Sequence, residues 1–233
     1  MHLEWGVAGL REGGRLADVV VVVDVLSFST AVAVAAAAGV TVYPLRPTNE
    51  SEYAARVAER LGARLARARG EGVSLSPPSL AALPSGERVV LPSPNGGALC
   101  LDAAATGATV VAGCLRNASA VGMWLRRREQ RVVVVAAGEE WRDGTPRVAT
   151  EDLLGAGAVL SSLPAEALSA EARVAVEAFR GSRAELAAIM RGCTSGRELA
   201  ARGYPEDVTW AAELDASPVV PVLVDGAFRP AAA

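Results

Sequence analysis

The sequence has no lysine and only one histidine. All 23 basic residues are arginine, and the histidine is His2. Without lysine the chain cannot contain a Walker phosphate-binding loop, a Schiff-base lysine or a pyridoxal phosphate site. A single histidine beside the start also excludes a Ser-His-Asp triad, a histidine phosphatase and a histidine-rich zinc site. The chemistry that remains available rests on carboxylates, amide side chains and helix N-termini.

Cysteine is also scarce. Cys100, Cys114 and Cys193 lie far apart and form no CxxC pair, so an odd and sparse set indicates a reducing compartment rather than a disulfide framework. Cys114 ends a predicted strand and could be a nucleophile. A cysteine-phosphatase loop needs arginine six residues later, however, and that position is Ala120. We therefore interpret all three thiols as small buried hydrophobic groups.

Charge and hydropathy limit the possible partners. The net charge of −3 gives no broad basic surface, so we expect no nucleic-acid partner. The alanine-rich run after Thr30 is too short and too weakly apolar to span a bilayer, and no basic leader precedes an apolar segment at the N-terminus. We therefore expect a soluble, cytoplasmic protein without a membrane partner.

Residues 17–30 are the most informative stretch. Five consecutive valines at 19–23, bounded by acids, predict a short strand buried on both faces, as in a parallel sheet. Asp24 ends this strand, and hydroxyl residues lead into an alanine-rich helix over 31–38. The N–H groups of a helix N-terminus favour an anion, while Asp24 offers an oxygen ligand to a hard cation. The unit therefore predicts an anion and metal site.

Similar strand–turn–helix units recur along the chain. Further strands are predicted at 40–45, 88–91, 109–113, 132–138 and 218–224, and helices at 49–62 (with Asn49 as a cap), 98–105, 118–128, 153–162 (with Thr150 as a cap), 165–180, 182–191, 195–202 and 205–214. This alternation predicts an α/β fold, with one three-layer α/β/α domain over residues 1–233 and a mostly parallel mixed sheet.

Two regions outside these units have predicted roles. Glycines and prolines interrupt residues 63–86, which we expect to form a loop crossing near the mouth of the site. The last predicted strand contains Pro218 and Pro221, and prolines are typical of an edge strand. An exposed edge strand would favour a homodimer.

Polar side chains follow four of the predicted strands. Ligands of open α/β sheets bind at the carboxyl ends of the strands, where Asp24, Asn95, Asn117 and the loop 139–152 are expected to meet. Such a set suits Mg²⁺ and a phosphate ester, because oxygen ligands hold the metal and oriented donors bind the transferring group. A haloacid-dehalogenase phosphatase would need a second acid at Leu26, and no GxGxxG motif supports a dinucleotide site.

Short segments spread over nearly the whole chain carry a family resemblance. They are Val23-Asp24-Val25-Leu26 with Ser29-Thr30, Ser93-Pro94-Asn95-Gly96, Gly113 with Asn117-Ala118-Ser119-Ala120-Val121, Ala137-Gly138 with Glu151-Asp152 and Gly155-Ala156-Gly157, Ser195-Gly196-Arg197, Asp207-Val208 with Ala211 and Asp215, and Val220-Pro221-Val222-Leu223. In this order and spacing they resemble the Mg²⁺-dependent 2-phosphosulfolactate phosphatases. The resemblance implies hydrolysis of the phosphate ester of a small sulfonated 2-hydroxy acid, such as 2-phospho-3-sulfolactate, in coenzyme M synthesis. One position departs from the family pattern: Ser27 stands where many members have arginine, and Arg116, Arg142 or Arg197 are candidate replacements.

These observations lead to a hypothesis about residue roles. Asp24, Glu151 and Asp152 hold Mg²⁺, directly or through water, and one carboxylate orients the attacking water or acts as nucleophile. The expected substrate-binding residues are Ser29, Thr30, Asn95, Gly96, Asn117 and Arg197, and possible extra metal ligands are Glu139, Glu140 and Asp207. Asp24, Asn95 and Asn117 could instead be helix caps. The alternative function is a non-catalytic or altered-specificity protein that binds a small phosphorylated acid on the same scaffold.

Overall fold

A computed structural model describes residues 1–48, 52–128 and 130–231. Within these ranges the strands are β1 (His2–Trp5), β2 (Val19–Val23), β3 (Thr41–Leu45), β4 (Arg64–Leu65), β5 (Arg88–Pro92), β6 (Thr109–Gly113), β7 (Val132–Ala136), β8 (Glu139–Glu140), β9 (Pro146–Arg147), β10 (Pro221–Val224) and β11 (Ala227–Pro230). The helices are α1 (Gly6–Gly13), α2 (Phe28–Ala37), α3 (Tyr53–Leu61), α4 (Pro77–Ala81), α5 (Gly96–Ala105), α6 (Ala118–Arg126), α7 (Thr150–Leu160), α8 (Ala170–Ser182), α9 (Leu186–Gly192), α10 (Thr194–Ala201) and α11 (Pro205–Ala212). Short 3₁₀ helices cover Gly14–Leu16, Leu115–Asn117, Ala165–Ala167 and Arg183–Glu185.

The main sheet joins two parallel blocks through an antiparallel hairpin. In the described residues its nine strands have the order β1-β7-β2-β6-β10-β11-β3-β5-β4. The strands from β1 to β6 in this order run parallel to one another, as do β3, β5 and β4. The hairpin β10–β11 lies between the blocks and is antiparallel to both neighbours. The predicted α/β class with a mostly parallel mixed sheet is confirmed.

Strand β2 lies inside the sheet, and its sequence explains why. All five of its valines are completely buried, and because side chains alternate along a strand they face two separate cores. Val19, Val21 and Val23 pack with residues of α6, α7 and α8, whereas Val20 and Val22 pack with residues of α2 and α5. Burial of each valine side chain stabilises the folded state by about 1.5–3 kcal/mol relative to leaving it exposed. Helices therefore cover both faces, which gives the three predicted layers.

Glycines in α7 let this helix approach the end of β2 on one side and α8 on the other. A Cβ atom on Gly155 would lie 2.6 Å from Cγ2 of Val25, and one on Gly157 would lie 2.1 Å from the carbonyl oxygen of Ala175 in α8. Both distances are shorter than real carbon contacts allow, so only glycine permits this packing. The first turn of α7 is thereby placed beside the end of β2.

The two parallel blocks meet at the site despite their opposite directions. Three antiparallel steps separate β6 from β3, which in a flat sheet would put the ends of β2 and β5 at opposite edges. The residues that follow these two strands are nevertheless hydrogen bonded, since Gly96 donates its N–H to Asp24. The right-handed twist of adjacent strands, about 20–25° at each step, accounts for this convergence.

The prediction of an edge strand at 218–224 is wrong. Strand β10 lies inside the sheet and pairs with β6 through Val222 and Val111 and with β11 along its length. Proline is tolerated there because Pro221 is the first residue of the strand. The edge strand on which the homodimer expectation rested is therefore internal, and a homodimer stays a prediction without that support.

Several element boundaries differ from the sequence prediction. Helix α2 starts at Phe28, three residues earlier than expected, and Thr150 is the first residue of α7 rather than its cap. The stretch 63–86 contains the short elements β4 and α4. The proposed cap Asn49 lies outside the described residues. Within the described ranges, no helix combines the length and apolar character needed to cross a bilayer.

Candidate active site

Asp24 lies between the N-termini of two helices. One carboxylate oxygen accepts the N–H of Phe28 at the start of α2 (3.1 Å), and the other accepts the N–H of Gly96 at the start of α5 (2.8 Å). The side chain is buried. Burial raises the pKa of Asp24 above its ordinary value and the charge of Glu151 adds to this, although the two amide N–H groups oppose it. The result is a rigidly held carboxylate at the end of β2.

Gly96 is required for this arrangement. A Cβ atom at position 96 would lie 2.7 Å from Oδ2 of Asp24 and 2.8 Å from the ring of Phe28. Any larger residue would therefore displace the carboxylate from the helix N-terminus. The glycine in the Asn95-Gly96 turn lets the backbone approach the acid directly.

Asp152, in the first turn of α7, connects the ends of two neighbouring strands. Its oxygens accept the N–H of Val25 after β2 (2.7 Å) and the N–H of Gly138 after β7 (2.9 Å). Burial raises the pKa of Asp152 well above its ordinary value, and the charges of Asp24 and Glu151 add to the effect. Since both oxygens are occupied by backbone donors, this acid holds the site together.

Glu151 is buried beside the other acids and beside a thiol. The thiol is that of Cys193, which donates to the carbonyl oxygen of Met190 (3.1 Å) and accepts the N–H of Gly196 (3.3 Å). Burial raises the pKa of Cys193 to about 12, and the charge of Glu151 contributes to the rise. Cys193 is therefore a neutral thiol at physiological pH rather than a nucleophile.

Glu139 and Asn95 form the outer part of the acidic cluster. The Asn95 amide donates to Oε2 of Glu139 at 3.0 Å. Burial raises the pKa of Glu139, the charge of Asp24 raises it further, and the hydrogen bond from Asn95 opposes both. Of the three possible extra ligands, Glu139 lies at the site, while Glu140 is exposed on β8.

A small cavity of about 210 Å³ opens over Asp24. This is below the 300–1,000 Å³ range, roughly, of sites for drug-sized ligands, so a small molecule fits it best. Its walls are formed by Asp24, Leu26, Ser27, Phe28, Arg69, Leu75, Ser93, Pro94, Asn95, Glu139, Ser195, Glu198, Leu199 and Arg202. The predicted crossing of the stretch 63–86 near the site is confirmed, because Arg69 and Leu75 line the cavity.

The cavity has one acidic end and one basic end. Asp24 and Glu139 form the acidic end. At the other end, Arg69 donates through Nε to Oδ2 of Asp207 (2.7 Å) and through Nη2 to the Ser27 hydroxyl (2.6 Å). Asp207, predicted as a possible metal ligand, is thus the ion-pair partner of an arginine. An anionic group and a cation can both be accommodated in one small space.

Several predicted substrate-binding residues are engaged in structural hydrogen bonds. The Ser29 hydroxyl donates to the Val22 carbonyl (2.9 Å) and accepts the Asp24 N–H (3.1 Å), and the Thr30 hydroxyl donates to the Val25 carbonyl (2.8 Å). Asn117 accepts the N–H of Cys114 and donates to the Ala112 carbonyl. These three side chains shape the turns around the site and do not line the cavity.

The structure also places Arg197 away from the cavity. Its guanidinium donates to the Gly192 carbonyl and to the Thr194 hydroxyl. Of the other candidate replacements for arginine at position 27, Arg116 pairs with Glu213 and Arg142 is exposed. The arginines that line the cavity are Arg69 and Arg202.

Helix phase is the signal that would have identified Arg202. Cavity-lining positions of α10 and the residue after it are Ser195, Glu198, Leu199 and Arg202, which have the i, i+3, i+4, i+7 spacing of one helix face. Position 197 lies on another face. Arg69 has no comparable local signal, because it belongs to an irregular loop.

The acidic side chains around Asp24 are the available ligands for a divalent cation. Within the described residues, no three His, Cys, Asp or Glu side chains are close enough together to form a metal-binding group. A shell of protein ligands built jointly by Asp24, Glu151 and Asp152 therefore receives no support. Mg²⁺ usually keeps several waters and takes one or two carboxylates plus substrate phosphate oxygens, however, and the acids at the cavity fit that mode.

Larger cavities lie on other faces of the molecule. One of about 760 Å³ is formed around α6 and the segment before β10, and another of similar size lies along α8. Neither contains the buried carboxylates. Of these three cavities in the described residues, the small one over Asp24 combines a buried acid with arginines, which is the chemistry of a polar ligand site.

Comparison with known proteins points to one family. The sequence model of a family described as 2-phosphosulpholactate phosphatase matches residues 7–226. A relative in Carboxydothermus hydrogenoformans, named probable 2-phosphosulfolactate phosphatase, is 31% identical over 212 residues, which cover 87% of this chain and 84% of the relative. A Deinococcus radiodurans relative of the same name is 32% identical over 230 residues, covering 93% of this chain and 92% of the relative.

Proposed function

The chain belongs to the 2-phosphosulfolactate phosphatase family and is a phosphatase of phosphate monoesters, and we propose on this premise that it hydrolyses 2-phospho-3-sulfolactate or a closely related phosphorylated 2-hydroxy acid with Mg²⁺ as cofactor. The names of the relatives supply the substrate class. Roles in coenzyme M synthesis, a cytoplasmic location and a homodimeric state stay predictions.

One observation supports a cation-dependent phosphatase most directly. Burial raises the pKa of Asp24, Glu139 and Asp152, and the charges of neighbouring acids raise it further. Asp24 and Glu139 line a cavity too small for a large ligand. Such a cluster would repel a phosphate dianion at neutral pH. A bound divalent cation would remove that repulsion, so substrate and cation are expected to bind together.

Asp24 is the carboxylate that would hold Mg²⁺ at the cavity, where Glu139 lies beside it, and the buried Glu151 lies behind them. When bound, the ion supplies a Lewis acid for the phosphoryl oxygens. Asp152 is occupied by two backbone N–H groups, so we assign it the role of fixing the strand ends.

We assign the proton-accepting role to Glu139. Water attacks the phosphorus atom and gives one proton to Glu139, and the bond between phosphorus and the ester oxygen breaks. Protonated Glu139 then returns that proton to the ester oxygen, so the products are the 2-hydroxy acid and hydrogen phosphate. Glu139 accepts a proton from the attacking water, since its raised pKa makes it a better base than an ordinary exposed carboxylate. The Asn95 amide keeps Glu139 in place through the bond at 3.0 Å.

A phosphate-release assay tests the proposal. We expect release of inorganic phosphate from 2-phospho-3-sulfolactate in MgCl₂, and loss of that activity in EDTA with recovery on adding Mg²⁺. A panel of phosphorylated small acids would identify the preferred substrate. If no member of the panel is hydrolysed in MgCl₂ or in EDTA, the proposed activity is refuted. The alternative, a non-catalytic protein that binds a small phosphorylated acid, would then be favoured.

Stability should respond to pH and Mg²⁺ together. The raised pKa values of Asp24, Glu139 and Asp152 mean that the folded state binds protons more tightly than the unfolded state. The resulting stabilisation is fully present below the unfolded pKa values and is lost as pH rises through the native ones. We expect Mg²⁺ to raise the melting temperature more at about pH 8 than at about pH 5.5. At the higher pH these carboxyl groups have lost their protons, and the cation can neutralise their charge instead. Because other acids titrate too, the measured quantity is the increment produced by Mg²⁺ in thermal melts. An increment that is equal at both pH values, or absent, would contradict a cation site at these acids.

A further inference from the structure

Arg69 is held in place from several sides at the basic end of the cavity. Its guanidinium donates to Asp207 and to Ser27, and it lies 5.8 Å from the centre of the Tyr204 ring. The Tyr204 hydroxyl also donates to the backbone carbonyl of Arg69 (2.9 Å). The Arg69 side chain is only 18% exposed. An arginine in an otherwise irregular loop is thus fixed in one orientation at the cavity wall.

The guanidinium retains unused donors. Arginine has five N–H donors, and the hydrogen bonds to Asp207 and Ser27 use one each. The remaining three have no acceptor among the described residues. The Ser27 oxygen accepts from Arg69 and so keeps its own O–H to donate. Arg69 and Ser27 therefore both present hydrogen-bond donors at the cavity.

The ionic side chains at the basic end of the cavity carry one net positive charge. Asp207 balances Arg69, and Glu198 pairs with Arg147 at 3.2 Å. Arg202 also lines the cavity, and within the described part of the chain it has no ion pair. The basic end thus has one net positive charge and fixed donors, opposite two carboxylates suited to a cation and phosphate.

We propose that Arg69, Ser27 and Arg202 form a subsite for an acidic group, a carboxylate or sulfonate, carried by the phosphate ester. This inference rests on the proposed function and specifies its selectivity: the subsite favours phosphate esters of 2-hydroxy acids over esters without an acid. Asp207 is a positioning residue, because it holds the guanidinium without lining the cavity itself.

The chemistry of arginine explains why this residue suits the task. A guanidinium presents paired donors in a plane, which matches two oxygens of a carboxylate or sulfonate. Because Arg69 is already fixed by three neighbours, little side-chain freedom is lost on binding. Replacement by lysine would keep the charge but lose the paired donors.

The test compares two esters in two variants. The substrates are 2-phospho-3-sulfolactate and glycerol 2-phosphate, a secondary ester without an acidic group. We expect Arg69→Gln to lower the ratio of kcat/KM for the acidic ester to kcat/KM for the neutral ester by about 10–100-fold, mainly through KM. Arg67→Gln is the matched control, since Arg67 lies two residues away, is exposed and does not line the cavity. Its ratio should equal that of the wild type.

Two further variants refine the comparison. In Arg69→Lys, the ratio of kcat/KM values for the acidic and neutral esters should lie between those of the wild type and Arg69→Gln. Asp207→Asn should lower this ratio by less than Arg69→Gln does. An equal loss for both esters in Arg69→Gln would overturn the subsite, because it would show a general effect on the active site.

A binding measurement separates this inference from the proposed activity. Calorimetry with 3-sulfolactate, the dephosphorylated product, needs no turnover. We expect binding by the wild type and the Arg67→Gln variant, and binding weakened at least about 10-fold in Arg69→Gln. Equal binding in all three proteins would overturn the subsite. Arg69-dependent binding in a protein that hydrolyses no ester would retain the subsite and refute the phosphatase activity.

Discussion

Replacing Asp24 by Asn should lower Mg²⁺-dependent phosphatase activity by about 10³-fold or more while leaving the protein folded. The substitution removes the negative charge that faces the cation and phosphate, but it keeps nearly the same shape between α2 and α5. Steady-state hydrolysis of 2-phospho-3-sulfolactate in MgCl₂ measures the loss.

Stability should change little in this variant because two effects oppose each other. The amide side chain of the variant cannot accept both N–H groups that Asp24 accepts, which costs about 1–3 kcal/mol. In return the variant no longer buries a charge close to Glu151, whose repulsion raises the pKa of Asp24. Circular dichroism and a thermal melt should therefore resemble the wild type.

Glu140→Gln is the matched control for Asp24→Asn. Glu140 is also an acid next to the site, but it is exposed on β8 and lies outside the cavity. It should retain full activity. Wild-type turnover by Asp24→Asn would remove Asp24 from the mechanism, and a comparable loss in Glu140→Gln would show that the effect is one of total charge.

Replacing Asp152 by Ala should destabilise the fold. The N–H groups of Val25 and Gly138 would lose their acceptor inside the protein, and each unsatisfied buried donor costs about 1–3 kcal/mol. Relief of the repulsion from Asp24 and Glu151 offsets part of this. We expect a net loss of about 2–4 kcal/mol in the free energy of unfolding, together with loss of activity.

The pH dependence of that loss provides a sharper test. Because the pKa of Asp152 is raised in the fold, the wild type gains stability from its protonation at low pH and loses that gain as pH rises. The difference between wild type and Asp152→Ala should thus be larger at about pH 5.5 than at about pH 8 in urea unfolding. Glu12→Ala, which removes an exposed acid of α1, controls for net charge. A pH-independent difference would show that burial and the neighbouring charges do not raise the pKa of Asp152 in the folded protein.

Local patterns predicted the core of the fold because the determining interactions are themselves local. The valines of β2 and the polar turn at Asp24 specify a buried strand and the start of a helix without knowledge of any partner. The position of β10 could not be read in the same way. Proline at residue 221 is compatible with an edge strand and with the first residue of an internal one, and only pairing with β6, over 100 residues earlier, distinguishes the two.

The same distinction applies to the site. Asp24, Asn95 and Glu151 could be brought together by the rule that ligand sites form at strand ends. Arg69 could not, because its place depends on Asp207, 138 residues away in sequence. The prediction of Arg197 rested on the family resemblance and did not use helix phase, which is local information that the sequence does contain.

The hairpin β10–β11 has a consequence for how the protein is made. On the ribosome, both parallel blocks are synthesised before residues 221–230 emerge, and in the described residues those blocks touch within the sheet only through this hairpin. Until Phe228 inserts opposite Val42, the nascent chain leaves the backbone edges of β6 and β3 open to other strands. During synthesis we therefore expect the edges most exposed to wrong pairing to be these two, which lie far from either border of the finished sheet.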